Sequence, residues 1–243
     1  ASVTLTSSGS GAGANAGDYN ITPSAAIAGP STNLNNYDPN YVNGTLTVNP
    51  KGLTIKADNR TKTYGSTLIL GTSAFSTNGL VGGQSIASVT LTSAGAAATA
   101  EVDTYLIEPS NAVAGSGTLL TNYAIVYSNG TLTVNKAPIT IKADAQSKTY
   151  GSLGVLDGTK FSIISGNLFN SDTIASVTQV SSGTPVTAAA GDYTITPSAA
   201  VAGPGTNLNN YTISYDPTGV YKVNPAPITI KANTQSKTYG SLG

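Results

Sequence analysis

Ala137-Pro-Ile-Thr-Ile-Lys-Ala143 opens a stretch that runs on, four residues later, into Lys148-Thr-Tyr-Gly151. Ile139 and Ile141 alternate with Thr140 and Lys142, the period of two that gives a strand one apolar and one polar face. Both phrases return. Thr-Ile-Lys-Ala starts at Thr54, Thr140 and Thr229, and Lys-Thr-Tyr-Gly at Lys62, Lys148 and Lys237, with offsets 148 − 62 = 86 and 237 − 148 = 89. Ser-Val-Thr recurs at Ser2, Ser88 and Ser176, and Asn-Tyr at Asn36, Asn122 and Asn210, both with offsets of 86 and 88. Four independent landmarks on one period make the chain a tandem array, and that decides the architecture.

Two complete modules follow, Gly52–Ala137 and Pro138–Ala226, with an incomplete one before them (Ala1–Lys51) and another after (Pro227–Gly243). Ala1 matches Ala87 and Gly243 matches Gly154, so the two end pieces together lack only the stretch matching Val155 to Ile174. The chain is expected to be a piece of something longer. Its end modules are expected to be completed by neighbouring chain or a neighbouring subunit.

Within a module the sequence predicts strands and turns. Asn129-Gly130, between the alternating Tyr123, Ile125, Tyr127 and Leu132, Val134, predicts a β-hairpin with a type I′ turn. Asn43-Gly44 repeats the signal, and Asp216–Gly219 lengthens it. Val89 and Leu91, and Tyr193 and Ile195, alternate in the same way, the latter strand ending at Pro197. The Pro-Ser-Ala-Ala stretches after Pro23 and Pro197 read as loops. Helix is limited to one short turn per module, at Ser76–Val81 or Gly166–Phe169. The expected fold class is mainly β, in two-layer modules. Val134 passes through Asn135–Pro138 straight into the next strand, and Val223 through Asn224–Pro227. Linkers this short, stiffened by Pro, predict modules stacked end to end as a rod, each roughly 40 Å long at about 3.3 Å per residue.

Composition narrows the function. Eleven basic and eleven acidic residues cancel, and charged residues make up only 9% of the 243. Such a chain has no field to draw in nucleic acid, and no apolar run approaches membrane-spanning length. Cys, His, Met and Trp are absent. That removes disulfides, the usual zinc, copper and iron sites, and every Ser-His or Cys-His nucleophile pair.

Three sets of residues resemble the MBG (mostly β, glycine-rich) domains of bacterial surface adhesins and secreted filamentous proteins. They are Ala137–Ala143, Lys148–Gly151, and the closing Asn122-Tyr123 with Asn129–Val134. The resemblance covers practically the whole chain. It implies stalk or scaffold repeats of an extracellular, cell-surface or fibre protein, in some cases tied to biofilm matrix and cell adhesion. No catalytic residues come with it. The expected partners are neighbouring copies of the same repeat, with extracellular polysaccharide as a further partner.

Individual residues offer few openings for chemistry. Tyrosines recur in four sets: Tyr64, Tyr150, Tyr239; Tyr37, Tyr123, Tyr211; Tyr41, Tyr127, Tyr215; and Tyr19, Tyr105, Tyr193. They suit a thin sandwich core, and a row of exposed rings would instead suit sugar stacking in a carbohydrate-binding adhesive module. Asp18, Asp103, Asp192 and Asp58, Asp144 form no Asp-rich loop for calcium. Glu101 and Glu108 have no counterparts in the other repeats, so no paired acid and base repeats. Lys142 and Lys231, considered for an isopeptide bond, fall on the polar face of their strand. Asn-x-Thr occurs at Asn20, Asn43, Asn59, Asn129 and Asn210. No catalytic, metal or cofactor-binding residue is assigned, and a non-enzyme is expected.

Overall fold

The computed structural model describes residues 1–242, and its regular structure is almost all strand. The chain divides into two compact units, Ala1–Lys62 with Ser66–Asn135, and Thr63–Gly65 with Lys136–Gly243.

The first unit begins with a three-stranded sheet in the order β1-β2-β3, made from β1 (Ser2–Thr6), β2 (Gly17–Ile27) and β3 (Gly44–Val48). The complete repeat adds β4 (Lys51–Ala57), β5 (Arg60–Thr63), β6 (Phe75–Asn78), β7 (Ile86–Thr92), β8 (Thr104–Ala114), β9 (Tyr123–Ser128) and β10 (Gly130–Asn135). These form two sheets, β6-β4-β9 and β5-β10-β8-β7. The apolar alternation of β4 points Leu53, Ile55 and Ala57 into a core shared with Val89, Leu91, Ile107 and Leu132 of the other sheet.

The second unit repeats the plan with β11 (Ala137–Ala143), β12 (Gln146–Thr149), β13 (Phe161–Ser165), β14 (Ile174–Val180), β15 (Gly191–Ala202), β16 (Tyr211–Asp216) and β17 (Gly219–Asn224). Its sheets are β13-β11-β16 and β12-β17-β15-β14. The opening strand β11 runs parallel to the late strand β16, and β12 parallel to β17, so each module is closed by its own last strands. The cores differ in one compensated exchange. Tyr221 stands where the first repeat has Leu132, and Gly154 where it has Leu68. A Cβ at Gly154 would lie 2.2 Å from the Tyr221 hydroxyl oxygen, so the larger ring requires the missing side chain.

Every long strand carries the same bulge. Thr4 pairs with Ser24 but Ser2 with Ile27, so two residues of β2, Ala25 and Ala26, face one of β1, Val3. β8 repeats this against β7, and β15 against β14. The bulged residue is left-handed each time: Ala25 (φ 49°), Asn111 (48°) and Ala199 (45°). The N–H that follows is turned out of the ladder and donates to a tyrosine hydroxyl. The three pairs are Ala26 to Tyr41 at 2.9 Å, Ala112 to Tyr127 at 2.8 Å and Ala200 to Tyr215 at 2.7 Å.

Mainly β modules with two sheets are what the alternation predicts, but several local expectations change. Asn129-Gly130 is not a hairpin turn, because β9 and β10 lie in different sheets. Neither residue has positive φ. Gly130 is required by proximity instead, since its Cβ would lie 2.5 Å from the Ala57 carbonyl oxygen. The chain likewise changes sheet between β16 and β17, and residues 28–43, between β2 and Gly44, carry no strand. The Pro-Ser-Ala-Ala stretches are strand, not loop, and β15 runs through Pro197 to Ala202. Beyond Ile195, the last residue paired with β17, β15 is paired on one flank only, which leaves room for a residue without an N–H. Phe75–Asn78 is strand and 166–169 has no helix. The short 3-10 turns sit instead at Ser8–Ser10, Leu34–Asn36, Ala94–Ala96, Leu120–Asn122 and Leu208–Asn210. Residues 225–242 carry no strand.

Candidate functional site

The two Lys-Thr-Tyr-Gly turns of the complete repeats are where the recurring residues converge. Lys62 in β5 and Lys148 in β12 point inward by strand alternation, and each is only 8% exposed. Their ammonium groups are satisfied by backbone carbonyls. Lys62 Nζ donates to Ser66 O at 2.9 Å and also to Ala97 O. Lys148 Nζ donates to Ser152 O at 3.1 Å and Thr184 O at 3.2 Å, and also to Pro185 O. Each ammonium thus ties its turn to the loop that follows β7 or β14. Burial pushes the Lys62 pKa below the ordinary lysine value.

The glycine ends the turn in the left-handed region: φ is 85° at Gly65, 87° at Gly151 and 88° at Gly240. In the second unit Tyr64 is 4% exposed and meets Phe169 (centroids 6.4 Å apart, 83°) and Tyr211 (5.5 Å, 81°) edge to face. Its hydroxyl donates to Asp172 Oδ2 at 2.9 Å, and so does that of Tyr211, at 2.7 Å. Tyr211 also accepts the Phe169 N–H at 2.9 Å. Gly65 lies against the Phe169 ring, whose Cγ would be 2.1 Å from an added Cβ. Burial raises the pKa of both tyrosines, and the Asp172 carboxylate adds to the effect.

The first unit holds a matching seat. Tyr123, the counterpart of Tyr211, accepts the Val81 N–H at 3.0 Å and donates to Gln84 Oε1, where the second repeat has Phe169 and Asp172. Beside it Asn122 accepts the Ala16 N–H at 2.8 Å and donates to Asn15 at 2.9 Å. A pocket of about 270 Å³ lies among Val81, Gln84, Asn122, Tyr123, Lys51 and Ala14.

Three other tyrosines are held by backbone carbonyls. Tyr19, Tyr105 and Tyr193 donate to the carbonyls of Asn15, Glu101 and Ala189 at 2.8, 3.0 and 2.9 Å. Their rings cover Gly9, Gly95 and Gly183. Tyr37, Tyr41, Tyr127, Tyr150 and Tyr239 are exposed to different degrees, so the sets do not expose one regular row. Tyr221 is buried with its hydroxyl unpartnered.

The carboxylates stay apart. Asp18 accepts from Thr47, Asp103 from the Thr104 N–H, and Asp144 from Ser162. Among the described residues no three His, Cys, Asp or Glu side chains gather as a metal site would need. Lys142 is half-buried and pairs in register with Asp216, and Lys231 is exposed. Asn210 is buried, whereas Asn20, Asn43 and Asn129 are exposed, and Asn59 Oδ1 accepts the Thr131 N–H. Sequence reasoning gives the turn lysines no role. The available signal is Lys62 and Lys148 at the same strand position of two repeats, before a Tyr-Gly.

Among the described residues no helix is long and apolar enough to cross a membrane. The family description "MBG domain (YGX type)" matches residues 53–133 and 139–220, and both stretches contain a Tyr-Gly turn. No curated protein matches the chain to a significant degree.

Proposed function

The chain belongs to the MBG domain family of the YGX type, repeat modules of surface and adhesin-like proteins, and on that premise we propose that it is a stalk or fibre-forming segment of a long extracellular bacterial surface protein. One observation carries this reading: the residues that recur are those that hold the modules themselves. Lys62 and Lys148 bind turns to loops, Tyr41, Tyr127 and Tyr215 close bulges, and Tyr123 and Tyr211 anchor N–H groups. A repeat whose constant positions serve its own architecture suits spacing and stacking.

The junction agrees. Only Lys136 separates β10 from β11, so one repeat follows the other in sequence with no linker segment. Neighbouring repeats are then the natural partners, and biofilm matrix a natural setting. Sugar stacking on tyrosine draws less support, since the exposed Tyr37, Tyr41, Tyr127, Tyr150 and Tyr239 belong to sets whose other members are buried or half-buried, so no regular row of rings recurs.

Electron microscopy of the native material tests the proposal. Regularly beaded rods are expected, whereas isolated globular particles would overturn it. A denaturing gel then separates assembled subunits, which run near 24.3 kDa, from one continuous chain.

A further inference from the structure

Asn-Gly occurs twice in the complete repeats, at Asn78-Gly79 and at Asn129-Gly130. The dipeptide carries a chemistry of its own. The main-chain nitrogen of the glycine can attack the asparagine side-chain amide, and no Cβ hinders the ring closure. In a folded chain the reaction requires that this nitrogen be free of the sheet and that the main chain around it can rotate.

The two sites differ in both respects. Gly79 follows β6, an edge strand of the β6-β4-β9 sheet. The Asp58 N–H donates to Ala74 O at 3.0 Å, and bonded pairs recur at every second residue of an antiparallel ladder. Thr54 with Asn78 is therefore the last bonded pair, and the N–H of Gly79 faces away from β4. Gly79 has also left the extended conformation, with φ 116°. Packing imposes the glycine, since a Cβ there would lie 2.2 Å from Gly52 O. Asn78 itself sits opposite Thr54 and is exposed.

Asn129-Gly130 is locked. Its strand β10 lies between β5 and β8. The Val134 N–H donates to Asp103 O at 2.9 Å, and the same alternation puts Gly130 in a bonded pair with Ile107. Gly130 is buried, close against the carbonyls of Ala57 and Asp58. Rotation at this glycine would break the ladder on which the sheet depends.

We propose that Asn78 is a site of spontaneous main-chain modification, a property separate from the stalk reading. The Gly79 nitrogen gives up its proton and attacks Cγ of Asn78. A C–N bond forms, and the side-chain nitrogen leaves as ammonia with that proton. The cyclic imide then takes up water at either carbonyl and opens to aspartate or isoaspartate, with nothing oxidised or reduced. Either product adds an acidic group to a chain whose eleven basic and eleven acidic residues cancel. Isoaspartate also lengthens the main chain by a CH2 beside the last bonded pair of β6. The second repeat has Ser165-Gly166 and Thr218-Gly219 at these places, so of the two complete repeats only the first carries the mark. The amide is not restored, and the product therefore records how long the folded chain has existed.

Incubation of the full chain at mildly alkaline pH tests the site, with peptide mapping by mass spectrometry and enzymatic methylation of isoaspartate as readouts. In the folded chain Asn78 is expected to convert at least about tenfold faster than Asn129. In urea the two rates should converge, because the unfolded chain has no ladder to protect either site. Asn78→Ser, which copies the second repeat, should remove the methylation signal from this stretch. Conversion of Asn129 as fast as Asn78 in the folded chain overturns the proposal. So does a folded chain in which neither residue converts while both do in urea.

Discussion

Tyr64 and Tyr211 meet edge to face, 5.5 Å between ring centroids, and their two hydroxyls donate to one oxygen, Oδ2 of Asp172. Both phenols hold their protons more firmly than free tyrosine, first because they are buried and also because a carboxylate faces them. With folded pKa values above the unfolded value near 10, the folded state keeps protons that the unfolded chain releases. The contribution of this cluster is therefore complete below about pH 10 and is lost as the pH rises through the folded pKa values. Urea titrations from about pH 8 to 12 are expected to show falling stability above about pH 10, and a shallower fall in Tyr211→Phe.

The bulge tyrosines give a second prediction. Tyr127→Phe removes the acceptor of the Ala112 N–H and nothing else of comparable size. A net cost of about 1 kcal/mol is expected in urea denaturation. Hydrogen exchange at Ala112 should speed up while exchange at Leu132, in the core, follows global stability. Tyr215→Phe is expected to act in the same way on Ala200.

Gly154 and Tyr221 should be coupled. Gly154→Leu alone forces a side chain into the Tyr221 hydroxyl and is expected to cost about 1–3 kcal/mol. Combined with Tyr221→Leu it recreates the Leu68 and Leu132 arrangement of the first repeat, so most of that loss should return in a double-mutant cycle. Tyr221→Phe, which deletes a buried hydroxyl without a partner, should be neutral or stabilising.

The two kinds of lysine should separate sharply. Lys148→Met leaves three carbonyls without their charged donor and is expected to cost about 2–3 kcal/mol. Lys142→Met, on the half-buried polar face of β11, should stay within about 0.5 kcal/mol. Thermal melts of the two variants against the parent check the difference.

What is legible in the sequence is what a period reveals. Alternation finds the strand holding Ile139 and Ile141, and the repeat finds the equivalence of Tyr123 and Tyr211. Alternation does not say which strand is the neighbour, so Asn129-Gly130 reads as a hairpin although β9 and β10 belong to different sheets. Local turn chemistry cannot report that a glycine is needed because the Ala57 carbonyl passes close by. Pro197 reads as a strand end for the same reason, since a strand paired on one flank tolerates it. The burial of Lys148 is hidden because its partners are main-chain carbonyls, which every sequence has.

The parallel pairing of β12 with β17 joins the beginning of a module to its end. Tension applied at the two ends of that module draws these strands along each other in opposite directions. Their hydrogen bonds are then strained side by side, in shear, and do not break in succession as in an unzipping hairpin. Such a module resists stretching until the whole set fails together, a property useful to a tether in moving fluid.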